Sequence, residues 1–354
     1  MCARRNRKRV RLPIALALAT ALLSAAAAHA QLPAFIPMPG VTPEGVAVDR
    51  TGDVFVSVRS GAPGTVPHGA IWRYTPDGQA SLFADVGEGV IGGLAIAANG
   101  DVYVAMATGP DQGVYRIDRM GVPERLPGTA QIVFANALAF DARGDLYVTE
   151  SYSGAAGSYG PGGIWRVPRR GEAELWLRHE LLTGIGYLGY PIGANGIGYY
   201  HGDLYVANTD KGIIVRVPVL NDGSAGEAEA WKRLEAVAGL PPVQSPLPVM
   251  PDGLAFDVHG NVYVTVVSRN SVVRVNAADR SQETIALLMT PWPDAYTRAP
   301  LDTPASLAFG TGAGEQQMLF VTNLGWMSTL VPGPTWPGPG LVKVDAGVPG
   351  RPLH

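Results

Sequence analysis

The sequence predicts an all-β fold, a six-bladed β-propeller, and three observations predict it. A phrase made of a small residue or Pro, a variable residue, usually Gly, and then an apolar run occurs six times, at intervals of 44 to 59 residues. Each copy leads to a second apolar segment and then to a third one built around a basic residue. Helical periodicity is almost absent, so uniform units of short strands run from end to end, which is the signature of propeller blades rather than of a two-domain sandwich.

The first strands start at Pro43-Glu44-Gly45-Val46, Ile91-Gly92-Gly93-Leu94, Ala135-Asn136-Ala137-Leu138, Ala194-Asn195-Gly196-Ile197, Pro251-Asp252-Gly253-Leu254 and Pro304-Ala305-Ser306-Leu307. Turns rich in Gly, Asn and Asp, such as Asn99-Gly100 and His259-Gly260, then suit tight hairpins. The second strands follow as Asp53-Val54-Phe55-Val56, Asp101-Val102-Tyr103-Val104 and their counterparts at 145, 203, 261 and 318. Third strands carry Arg73, Arg116, Arg166, Arg216, Arg274 and Lys343 at one fixed place, a scaffold position on the sheet surface rather than a polyanion stripe. A weaker fourth strand follows, as at Ala80-Ser81-Leu82-Phe83. The sixth unit lacks one, and Ala34-Phe35-Ile36-Pro37-Met38 is expected to supply it from the other end of the chain, closing the ring and removing exposed edges.

One position breaks the repeat. The variable slot reads Glu44, Gly92, Asn136, Asn195, Asp252, Ala305. First strands line a propeller's channel and start at one mouth, so the four oxygen-bearing slots converge there. Asn-Gly and Asp-Gly are also ordinary turn dipeptides. Four coincidences at equivalent positions, two of them carboxylates, point instead to a divalent cation. Oxygen donors without His or Cys suit a hard ion, Ca²⁺, and disfavour zinc. Antiparallel pairing brings the long loops after the second strands, and the connectors between blades, to the same mouth. They carry Tyr152, Tyr159, Tyr187, Tyr190, Trp292, Tyr296, Trp326 and Trp336, the expected walls of an apolar pocket above the cation.

Residues 1–30 read as a signal peptide: six basic residues, an apolar Ala/Leu-rich run, and Ala28-His29-Ala30 as a small-x-small cleavage pattern. Arg4-Arg5 leaves twin-arginine export open, and the apolar run is close to the lower length of a membrane anchor. Residues 31–354 then form a single propeller domain, periplasmic or secreted. Without the leader, 21 basic against 30 acidic side chains leave −9, which disfavours nucleic acid or an anionic membrane as partner. The single cysteine, Cys2, leaves with the leader, so no disulfide supports the fold.

In these slot residues and the ring pattern the chain resembles the senescence marker protein/gluconolactonase/luciferin-regenerating-enzyme-like family, and more distantly the paraoxonases. The resemblance implies a six-bladed propeller holding a divalent cation, often Ca²⁺, and hydrolysis of lactones or related esters. It places the family's metal-site residues on Glu44, Asn136, Asn195 and Asp252, with Asp252 as the general base on water. Sugar-lactone members tend to carry an Arg two residues before the third-blade Asn and an Asp just after it. Here Phe134 and Ala137 stand at those places, which shifts the expected substrate toward a less polar ester or lactone. Paraoxonase-like His pairs are not evident, since His68, His179, His201 and His259 scatter over different blades. A rival reading from the same phrases is a non-catalytic NHL-like propeller that binds a protein partner and uses Ca²⁺ as a clamp.

Overall fold

Alternating apolar residues in each unit give strands with one buried row per face, and such strands need neighbours on both sides. The computed structural model describes residues 32–352 except 63, 156, 237–247, 288–298 and 331–335. The predicted leader, and Trp292 and Tyr296, therefore lie outside the described residues. Among the described residues the strands form six four-stranded antiparallel sheets, and the one α-helix is the short Trp326–Leu330. No helix there is long and apolar enough to cross a membrane.

The innermost strands are Thr42–Val48, Val90–Ile96, Ala135–Phe140, Ala194–Tyr200, Pro251–Phe256 and Pro304–Phe309. Each touches the next around a closed circle, so the sheets are the six blades of a propeller. Blades one to five run outward in chain order. In blade six the outermost strand is Phe35–Pro37, paired antiparallel with Gly340–Asp345 through Phe35↔Val342 and Pro37↔Gly340. The ring is closed by the N-terminal strand, as expected.

Stability is distributed between the blades. Six apolar clusters each join two adjacent sheets, for example Ile71, Ile91, Val104 and Met106 between blades one and two. The recurring third-strand cation has a partner that the repeat itself supplies, the Asp that opens the second strand. Arg73–Asp53, Arg116–Asp101, Arg166–Asp145 and Arg216–Asp203 bond through Nε at 2.7 to 3.0 Å. Blade five has Asn261 at that place, and Arg274 turns to Glu283.

Every innermost strand carries a β-bulge at the variable slot. Pro43 faces Val58 and Val46 faces Val56, so Glu44 and Gly45 together oppose Ser57; the same two-against-one count occurs in all six blades. Such a bulge re-aims side chains and tightens the local twist. It also brings neighbouring backbones close: a Cβ on Gly45 would lie 2.8 Å from Gly93 Cα, and one on Gly253 2.7 Å from Ser306 Cα. That crowding is why the residue after the slot is small in every copy.

A buried hydroxyl sits opposite the bulge in four blades and joins that blade to the next. Thr265 Oγ1 accepts from the Gly253 N–H at 2.9 Å and donates to the Ala305 carbonyl at 2.6 Å. Ser57, Thr149 and Thr322 do the same toward Gly92, Asn195 and Glu44. Blades two and four have Ala105 and Ala207 there. Thr265→Val keeps the shape but leaves one N–H and one C=O without the hydroxyl, at a cost of about 1–3 kcal/mol. A lower denaturant midpoint is expected, and an unchanged one would show that the bridge contributes nothing to stability.

Candidate metal centre

The bulges place Glu44, Asn136, Asn195 and Asp252 at one level of the ring, one strand-start in from the mouth. Their side chains keep some solvent access while surrounded by protein, except Asn195, which is buried. Burial raises the pKa of both carboxylic acids. For Glu44 the Arg59 charge offsets burial only in part. Asp252 lies well above its ordinary range because of burial and then the Glu44 charge, against which a hydrogen bond from Asn195 acts. These two acids thus share one low-dielectric space, and Asn195 belongs to it. Among the described residues no three His, Cys, Asp or Glu side chains gather, so the candidate donor set is two carboxylates and two amides.

The two amides are oriented by hydroxyls that the sequence reading missed. Asn136 Nδ2 donates to Ser151 Oγ at 3.0 Å, and Ser151 Oγ donates its own proton to the Ala194 carbonyl at 2.8 Å. Asn195 Nδ2 donates to Thr209 Oγ1 at 2.9 Å, and Thr209 Oγ1 donates to the Pro251 carbonyl at 2.7 Å. A hydroxyl has one proton. With that proton committed, each hydroxyl can only accept, so each amide points its NH₂ at the hydroxyl and leaves its carbonyl oxygen for another partner.

Ser151 and Thr209 occupy the same place in the repeat, two residues beyond the bulge partner. Around the ring that place reads Arg59, Ala107, Ser151, Thr209, Val267, Leu324, while the slot reads Glu, Gly, Asn, Asn, Asp, Ala. Both Asn slots bond a hydroxyl at that place, while the Glu slot is matched there by an arginine and the Gly and Ala slots by apolar residues. Asp252 alone has a charge-bearing slot with an apolar counterpart. This covariation was legible in the repeat.

The mouth carries an aromatic wall. Phe134 and Tyr152 lie 4.8 Å apart between ring centroids, Tyr152 and Tyr159 also 4.8 Å, and Tyr152 and Tyr190 6.4 Å. Burial pushes the Tyr152 hydroxyl up to about 12, so it stays protonated at neutral pH. Tyr190 is held by its loop: the buried Asp210 carboxylate accepts N–H bonds from Ile185, Gly186 and Ile192 at 2.7 to 3.1 Å. Tyr187 and Trp336, at loop positions, and Trp326, at the start of the short helix, are also on this side, and Tyr187 is largely exposed. No such clustering unites the histidines: His68 bonds Asp85, and His179 caps a 3-10 turn.

A cavity of about 1070 Å³ lies on the other side of the slot ring. Its walls are the innermost strands beyond the bulges and the hairpins around Asp49, Asn99 and Asp141. The C-terminal segment crosses that far mouth, where Val258 N–H bonds the Pro349 carbonyl and Arg351 lies over the Tyr200 ring at 5.1 Å. The titratable slot residues do not line this cavity.

A family model described as SMP-30/Gluconolactonase/LRE-like region matches residues 66–324. Glu44 precedes the matched span. Among solved structures, a luciferin-regenerating enzyme is 16% identical with a TM-score of 0.61, over 88% of this chain and 93% of that one. The calcium-binding protein regucalcin from Agrobacterium tumefaciens is 17% identical with a TM-score of 0.60, over 89% and 93%. A PQQ-bound aldose sugar dehydrogenase from Streptomyces coelicolor is 18% identical with a TM-score of 0.52, over 86% and 94%. At these identities the likenesses concern the fold. No curated protein matches the sequence.

Proposed function

Because the chain belongs to the SMP-30/gluconolactonase/LRE-like family, we propose that it is an exported, Ca²⁺-dependent hydrolase of lactones or related esters. The observation that carries this reading is the slot ring: two acids with raised pKa values in one enclosed space, next to two amides whose carbonyl oxygens are left available. Such a space stabilises a dication, and the all-oxygen donor set fits Ca²⁺. Glu44, Asn136, Asn195 and Asp252 would hold it. When bound, the ion supplies Lewis-acid polarisation of the substrate carbonyl.

The residues divide the remaining work. Glu44, with Arg59 nearby, is chiefly a holding carboxylate. Asp252 has no charged or hydroxyl counterpart in its own blade and a pKa held high, so it is the group suited to take a proton from the attacking water. Ser151 and Thr209 fix the amides. The aromatic wall of Phe134, Tyr152, Tyr159 and Tyr190 excludes water and favours an ester or lactone with an apolar body over a polyhydroxylated sugar lactone. Turnover of aryl esters and lactones by the purified mature chain, with and without chelator, tests the reading. Chelator-sensitive hydrolysis is expected. A chelator-dependent fall in the unfolding midpoint with no turnover on the panel would overturn the enzyme and leave a structural clamp.

A further inference from the structure

Among the described residues, Arg59 is the cation whose charge reaches both a slot carboxylate and the aromatic wall. It acts on Glu44 and on Tyr190, lowering the pKa of each against the effect of burial. In the strand register it faces Thr42, two residues before Glu44. At the rise of an extended strand it therefore stands about 7 Å nearer the mouth than the slot ring. It is only partly exposed and lines a cavity of about 450 Å³ between blades one and six, together with Thr42, Ser60, Pro67, Leu324 and Thr329. Among the described residues no hydrogen bond or ion pair within 4 Å engages its guanidinium, whereas the third-strand arginines Arg73, Arg116, Arg166, Arg216 and Arg274 are each paired with a carboxylate.

A partly desolvated guanidinium with its fork of donors unspent is suited to a planar anion, which it binds through two parallel N–H bonds. We infer that Arg59 is a substrate anchor, and that the compound hydrolysed at the slot ring carries a carboxylate of its own, remote from the ester or lactone bond. Its body lies along the Tyr190 side of the mouth, its carboxylate rests on Arg59, and the reacting carbonyl reaches the deeper slot ring. The separation of about two residues along the strand makes Arg59 a group that orients the substrate rather than one that meets the reacting atoms. The ester half of this inference rests on the function proposed above. The anion half does not, because binding is measurable without turnover.

The test is isothermal titration of the Ca²⁺-loaded mature chain with phenylacetate and with its neutral isostere phenylacetamide. The wild type is expected to bind the carboxylate roughly 10- to 100-fold more tightly than the amide. Arg59→Gln should remove that preference while still binding Ca²⁺, and Arg59→Lys, which keeps the charge without the fork, should retain part of it. A preference that persists in Arg59→Gln, or no preference in the wild type, overturns the anchor. So does a loss of Ca²⁺ affinity in Arg59→Gln with the ligand preference intact, since Arg59 would then only balance Glu44. If no ester or lactone is turned over while phenylacetate binds through Arg59, the hydrolase reading fails and the anion site stands.

Discussion

Asp252→Asn is expected to reduce hydrolysis by roughly 10²- to 10⁴-fold, the range that a positioned general base contributes. Because Glu44 is chiefly the holding carboxylate, Ca²⁺ binding should weaken less than in Glu44→Gln. The same substitution should raise the unfolding midpoint of the metal-free protein. In that state Asp252 pays a desolvation penalty and is opposed by the Glu44 charge, and a neutral Asn relieves both. Turnover, Ca²⁺ titration and melting in chelator together read all three effects. Unchanged turnover in Asp252→Asn would sink its assignment as the base, whatever happened to the metal.

The second large effect is a pH-dependent stabilisation by the cation. Glu44 and Asp252 have folded-state pKa values above their ordinary 4.5 and 3.8. A group raised in this way binds its proton more tightly in the folded chain than in the unfolded one. Its contribution is fully present below the ordinary value and is lost as pH rises through the raised one. The chelated protein should therefore lose stability from about pH 4 upward as these acids ionise beside each other. With Ca²⁺ bound, their charges are compensated and this loss disappears. At saturating ion the linkage is worth about 3–4 kcal/mol. The gap in melting temperature between loaded and chelated protein should therefore be small near pH 4.5 and widen to about 5–10 °C by pH 8. A gap of the same size at both ends of this range would remove the two carboxylates from the site.

Much of this architecture was legible in the repeat. The apolar phrases specify six sheets, and the short sixth unit correctly implied a strand borrowed from residues 35–37. The Arg of the third strand and the Asp of the second were both visible, but their pairing depends on cross-strand register, which composition does not carry. The bulge was hidden for the same reason: Glu44 and Gly45 look like consecutive strand residues until they are seen to share Ser57. Arg59 lies past the apolar phrase of its strand, yet the strand continues through Ser60, and the residue lines the cavity at the mouth. Ser151 and Thr209 look like generic strand-end polar residues. Only their proton accounting shows that they set which atom of each Asn is left available.

The closing strand has a further consequence for how the molecule comes into being. As a chain emerges from its N-terminus, Phe35–Pro37 is made first and paired last, because its partner Gly340–Asp345 appears about three hundred residues later. Until then Leu32, Ile36 and Met38 have no completed cluster to enter, and the inner strand of blade one stands beside an open gap. An interrupted chain thus keeps its earliest strand as a visible mark of incompleteness. Only a molecule synthesised to the end of its last blade can hide its beginning.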